Sequence, residues 1–240
     1  MVIAALATVA PASAGAPRRG GLVVWPARAT LVAGSTATLH IANHTRSAAA
    51  VAVRTMGIAL DLRGAPRLVR ASAGTPLVVV RTTRVVVASG SVGSIAVRAR
   101  RGPRLVPGDR PALILLTARS GGGAGIGVQV RIGVPVEVRV PGAIRRRLAL
   151  GPLHVHGRRL ELLVRNTGNV AERLGRGSVV VEVWRATRRL ATLQPRPRDL
   201  FPNSRGLVEF RVPKGLHGRV RVIARVVSPG SGRRGLWVAF

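Results

Sequence analysis

Between Val128 and Val140 the sequence VQVRIGVPVEVRV places a branched apolar residue at every even position. Gln129, Arg131, Glu137 and Arg139 fall on the odd ones. A helix turns 100° per residue and cannot gather such a set on one side, whereas a strand with one buried face does so automatically. Pro135 belongs to the odd, outward set and has no N–H, which predicts a sheet edge or a bulge at that point. Shorter stretches repeat the alternation at Ala37-Leu39-Ile41, Ile95-Val97-Ala99, Leu160-Leu162-Val164, Val179-Val181-Val183, Val208-Phe210-Val212 and Val220-Val222-Ala224-Val226. Turn residues separate them at Gly34-Ser35, Pro107-Gly108-Asp109, Gly121 to Gly127, Asn166 to Asn169, Pro213 to Gly215 and Pro229-Gly230. No amphipathic helix of useful length competes. Many short strands punctuated by turns predict an all-β protein built from sandwiches.

The chain divides into three parts. Val2–Ala10 is a short apolar run followed by Ala12-Ser13-Ala14, a small-x-small cleavage pattern, so residues 1–16 are expected to be a secretory signal peptide, although no Lys or Arg precedes the run. Pro141-Gly142 follows the long alternating strand and predicts a boundary between domains 17–140 and 141–240. Each is the size of an immunoglobulin-like sandwich. A faint internal repeat supports two tandem domains: ATLHIAN ends at Asn43 and LELLVRN ends at Asn166, and turn-like residues follow both. No uncharged apolar run is long enough for a membrane-spanning helix.

Few residues carry the signature of catalysis. Cysteine is absent, which removes thiolate chemistry and disulfides. The eight carboxylates, Asp61, Asp109, Glu137, Glu161, Glu172, Glu182, Asp199 and Glu209, show no local pairing. His154 and His156 share a strand face at i, i+2 but lack a third ligand nearby, and His40 and His44 lack the glutamate of a metalloprotease helix. The glycines from Gly121 to Gly127 lead into a strand, whereas a phosphate-binding loop leads into a helix. Ser89 to Ser94 lacks the spacing of a nucleophile elbow. Asn43-His44-Thr45 matches a glycosylation tripeptide but reads first as a strand end. The sequence therefore predicts no enzyme, no metal site and no cofactor.

Val24-Trp-Pro-Ala-Arg28, Val32-Ala-Gly-Ser35 and Ile41-Ala-Asn43 together resemble the opening of pilus-chaperone-like immunoglobulin domains. With Leu60-Asp-Leu-Arg-Gly64, Val106-Pro-Gly-Asp-Arg110, Val134 to Gly142 and Val164 to Asn169, the order is similar to actinobacterial members of the WxL-interacting cell-surface family. The resemblance spans residues 22–227. It implies a peptidoglycan-binding immunoglobulin-like domain followed by a second domain of the same class, and it carries no individual ligand-binding residue.

Net charge is +31, from 39 basic residues of which only Lys214 is lysine. The candidate polyanion-binding residues are the clustered Arg98, Arg100, Arg101, Arg145, Arg146, Arg147, Arg158 and Arg159, since guanidinium groups pair bidentately with phosphate and carboxylate. Three Trp, three Phe and no Tyr leave little for stacking on single-stranded nucleic acid. The expected function is non-catalytic binding or scaffolding at the cell envelope, with a wall polymer, peptidoglycan or another surface protein as partner. The first alternative is a pilus-type assembly chaperone using an exposed sheet edge. The second is an intracellular nucleic-acid binder, which the export signal argues against.

Overall fold

A computed structural model describes residues 21–69, 77–103, 105–120, 128–175, 177–227 and 233–239. The expected signal peptide, the Gly121–Gly127 loop and the Pro229-Gly230 turn lie outside them.

Among the described residues all nineteen regular elements are strands. The first ten are β1 (Leu22–Trp25), β2 (Ala29–Val32), β3 (Thr36–Asn43), β4 (Ala49–Leu60), β5 (Pro66–Val69), β6 (Val78–Val80), β7 (Arg84–Val87), β8 (Val92–Ala99), β9 (Gly108–Ser120) and β10 (Val128–Val140). They form two facing sheets, β1-β3-β8-β6 and β2-β10-β9-β4-β5, with β7 also paired to β4. Thus β1 joins one sheet and β2 the other, and the Trp25–Pro26 bond between them is cis.

The remaining nine are β11 (Leu148–His156), β12 (Arg159–Asn166), β13 (Glu172–Leu174), β14 (Val179–Arg185), β15 (Arg188–Leu193), β16 (Arg198–Leu200), β17 (Arg205–Arg211), β18 (Arg219–Val226) and β19 (Arg233–Ala239). They form β11-β12-β17, β13-β16 and β15-β14-β18-β19. The chain is two tandem β-sandwiches, each around its own apolar core.

The alternating residues build those cores because a strand sends every second side chain inward. Leu39, Ile41, Ile95, Val97 and Ala99 are buried in the first, and Leu160, Leu162, Val164, Val179, Val181 and Val183 in the second. Phe210, Val220, Val222 and Ala224 complete that second core. Val134, Val136, Val138 and Val140 of β10 are likewise buried. Pro107-Gly108-Asp109 departs from its expected role as a turn: β9 already begins at Gly108, because Gly108 and Asp109 pair with Val140 and Arg139 of β10, and the Asp109 N–H donates to the Asn169 carbonyl at 2.7 Å.

The repeated asparagines occupy equivalent places. Asn43 is fully buried, and its amide donates to the carbonyls of Ser47 and Val87 at 2.8 and 2.9 Å. Its Oδ1 accepts the Thr45 N–H at 3.0 Å. Asn166 is also fully buried and donates to Val170 and Leu200, while its Oδ1 accepts the Gly168 N–H. In both sandwiches one amide latches a strand end, its following turn and a later strand. Such a side chain is no glycan acceptor while the fold is intact.

Candidate functional site

The sheet edge formed by β10 is the first feature of the site. On one side β10 pairs with β9 over all thirteen residues, without a register shift. On the other, β2 covers only Val136 to Arg139. Val128 to Pro135 therefore has no second neighbour among the described residues. The Ala33 N–H donates to the Arg139 carbonyl, so odd residues aim their backbone groups outward. Alternation then places the N–H and C=O of Gln129, Arg131 and Gly133 on the free edge. Pro135 adds only a carbonyl there, so its missing N–H costs the β9 ladder nothing, and the expectation of an edge at Pro135 holds.

Side chains along this segment are graded. Val134 is buried, Ile132 is half-buried against the first core, and Val130 is 39% exposed. The apolar row thus climbs out of the core to the lip of the sandwich. By contrast, β11 pairs with β12 in a ladder broken by a bulge between Leu150 and Leu153 that contains Pro152. Bulges and prolines blunt an edge, whereas a regular run with apolar side chains invites another strand.

The second feature is a clasp between the sandwiches, where most of the carboxylates are used. Asp109, 1% exposed, accepts the Nε and one terminal N–H of Arg139 in the first sandwich and the Ala171 N–H of the second at 2.7 Å. Arg28 bridges Glu137 at 3.3 Å and Asp199 at 3.0 Å. Arg63, in the turn after β4, reaches Glu161 at 3.1 Å and Glu209 at 2.8 Å. Those two glutamates are direct cross-strand partners on β12 and β17. Like charges so placed repel, and a cation from the other sandwich resolves the conflict. Arg198 donates to the carbonyls of Asp61, Leu62 and Leu207 and lies over Gly206, where a Cβ would stand 2.5 Å from its guanidinium carbon. Its Nε is buried without a partner among the described residues.

Electrostatics at the clasp follow from burial. Desolvation pushes the Glu137 carboxyl above the usual range, nearby Asp109 adds to the push, and Arg28 and Arg139 offset it only in part. Desolvation also lowers the Arg198 guanidinium from its ordinary value, against the pull of Asp61, Glu209 and Asp199. Asp61 moves the other way. Its carboxylate accepts the Ala65 and Arg63 N–H groups at 2.9 Å, and hydrogen bonding from Ala65 leads in holding it below its ordinary value. Between the sandwiches lies an apolar cavity of about 240 Å³, lined by Leu60, Pro66, Pro111 and Phe201, with Arg28 at its polar side. Pro135, where the free edge ends, lines it too.

The clustered arginines lie in three regions. Arg98 is exposed on β8 opposite Thr36, and Arg100 and Arg101 follow it, the latter against Gly34. Arg145, Arg146 and Arg147 form the exposed connection between the sandwiches, where Arg146 pairs with Glu172 at 2.9 Å. Arg158 and Arg159 sit at the tip of the β11–β12 hairpin. The Leu148–Asn166 and His156–Arg159 rungs of that hairpin are about 27 Å apart at strand rise, so the last pair does not join the junction group. His154 and His156 share an exposed strand face with ring centroids 6.4 Å apart. Among the described residues no three His, Asp or Glu side chains gather as a metal site. His40 stacks on Trp25 instead.

No family model matches the chain, and no curated protein matches it. The resemblance to the WxL-interacting family thus gains no support from sequence comparison. Solved structures do match. A chain from a structure of the chaperone–tip adhesin complex of CFA/I fimbriae biogenesis is 12% identical, with a TM-score of 0.55 over 91% of this chain and 98% of that one. The class 5 fimbriae chaperone CfaA is 12% identical, with a TM-score of 0.52 over 91% and 98%. A structure of the CsuC–CsuE chaperone–tip adhesion subunit pre-assembly complex from Acinetobacter baumannii gives 11% identity and a TM-score of 0.51 over 90% and 97%. At such identities the likeness is one of fold: the chain has the two-domain, immunoglobulin-like β-sandwich architecture of pilus-assembly chaperones. Among the described residues no helix is long and apolar enough to cross a membrane.

Proposed function

We propose that this chain is a non-catalytic, exported assembly protein of pilus-chaperone type, which holds an extended segment of a surface-protein partner as an added strand on β10. The observation that carries this reading is the free, unbulged edge from Val128 to Pro135, with Val130, Ile132 and Val134 rising along it. Backbone groups of the edge supply the hydrogen bonds, and the exposed apolar lip favours a segment with apolar residues at alternate positions. The fold supports the reading, since its likenesses include chaperones solved with a pilin or a tip adhesin. The apolar Val2–Ala10 run supports export. Binding of peptidoglycan or an anionic wall polymer, which the sequence puts first, stands behind strand capture, because the arginine runs on which it rests lie apart.

The test uses a fluorescent octapeptide of alternating valine and threonine and the purified chain. Arg131→Pro deletes an outward N–H while leaving the β9 pairing as intact as Pro135 leaves it. Val130→Asp charges the lip. Both are expected to abolish peptide binding without changing the circular dichroism spectrum. Equal binding by the variants, or no binding by the parent chain, would refute strand capture.

A further inference from the structure

The outer face of the β7-β4-β9-β10 sheet carries arginines that no run in the sequence reveals. Arg84, Ala52, Thr117 and Arg131 are consecutive cross-strand partners along one row of the sheet. Arg84 and Arg131 end that row, about 14 Å apart at strand spacing. Arg54 is the partner of Leu115, and Arg119 lies four residues further along β9. These two stand about 14 Å apart across the perpendicular diagonal. Four exposed arginines therefore mark the corners of a diamond whose centre is floored by the small side chains of Ala52 and Thr117. A depression of about 690 Å³ occupies that centre.

These cations have no counter-charge among the described residues. All eight carboxylates are described, and each is engaged elsewhere: Asp61 with Arg67, Asp109 with Arg139, Glu137 and Asp199 with Arg28, Glu161 and Glu209 with Arg63, Glu172 with Arg146, Glu182 with Arg189 and Arg225. Arg131 donates one bond to Gln129 and keeps its other donors. Charge complementarity at this face must come from outside.

We propose that this depression binds a soluble chain of phosphate groups. A carboxylate holds its acceptors in one plane, whereas a phosphate offers tetrahedral acceptors that several forks approaching from different sides can share. Four corners around an uncharged floor suit linked phosphates, with the Thr117 hydroxyl as a neutral donor beneath them. The site adjoins the strand-capture edge at Arg131, whereas Arg54 and Arg84, on β4 and β7, lie away from it.

Tripolyphosphate and orthophosphate are titrated calorimetrically into the full chain at constant ionic strength. Tripolyphosphate is expected to bind far more tightly. Arg54→Ser with Arg84→Ser should weaken it about tenfold, the loss of two charged pairs, and leave capture of the valine–threonine octapeptide unchanged. Arg158→Ser with Arg159→Ser removes the same charge from the distal hairpin and should change the affinity less than about twofold if binding is local. Equal losses in both double variants, or equal affinity for the two anions, would refute the site. The chain is also sedimented with phosphatidylglycerol vesicles. Vesicle binding that tripolyphosphate fails to displace would make a membrane surface the ligand and overturn the proposal.

Discussion

Replacing Asp109 with alanine tests whether the clasp is a structural joint. The side chain is 1% exposed, accepts two bonds from Arg139 and one from the Ala171 N–H, and so ties β10 and the second sandwich to the start of β9. Removing one partner of a buried ion pair costs about 3–5 kcal/mol when the other stays buried. Arg139 is one-third exposed, so water recovers part of that loss and the low end applies to the pair. The orphaned Ala171 N–H adds about 1 kcal/mol. The expected total is roughly 3–4 kcal/mol from these two terms. Asp109→Asn keeps acceptor atoms and loses the charge, so it should fall between the parent and the alanine variant. Urea unfolding followed by far-ultraviolet circular dichroism measures both. A loss within about 0.5 kcal/mol, typical of an unremarkable surface site, would refute the argument that this carboxylate joins the two sandwiches.

Two further perturbations read other parts of the structure. Glu137 has a carboxyl raised by burial, so its ionised form costs stability above its folded pKa and the penalty vanishes as pH falls below the unfolded value. Glu137→Gln should therefore raise the melting temperature at pH 7 and lose that advantage near pH 3; a benefit independent of pH would contradict this. Asn166→Ala and Asn43→Ala each strand buried carbonyls and an N–H and should cost about 2 kcal/mol. Aspartate at either position faces two carbonyl oxygens and should destabilise more at neutral pH than in mild acid, as pH-dependent urea melts would report.

The legible parts of this fold are those written along one strand. The even positions of β10 from Val134 to Val140 and the six shorter alternations locate core residues because side-chain period and burial share one repeat, and Ala37 alone among those six sets is only partly buried. Asn43 and Asn166 were recognisable because part of each latch, to the turn that follows, is made within four residues of the strand end, while the bonds to Val87 and Leu200 are not. The clasp was not legible. Arg63 meets Glu161 and Glu209 across 98 and 146 positions, and nothing local distinguishes those glutamates from solvated ones. The arginine diamond escaped notice for a related reason. Runs such as Arg145-Arg146-Arg147 point in several directions on an exposed connection, whereas Arg54, Arg84, Arg119 and Arg131 are isolated in sequence and converge only after four strands align.

The distribution of charges across the clasp gives the two halves unequal dependence on one another during synthesis. The first sandwich leaves the ribosome already holding Arg28 and Arg63, cations that water can solvate while they wait. The second emerges with Glu161 opposite Glu209, a pair whose bridging arginine comes from the earlier half, and finds that arginine in place. The earlier half thus serves as a template on which the later one closes, and vectorial translation presents the parts in the order that the electrostatics require.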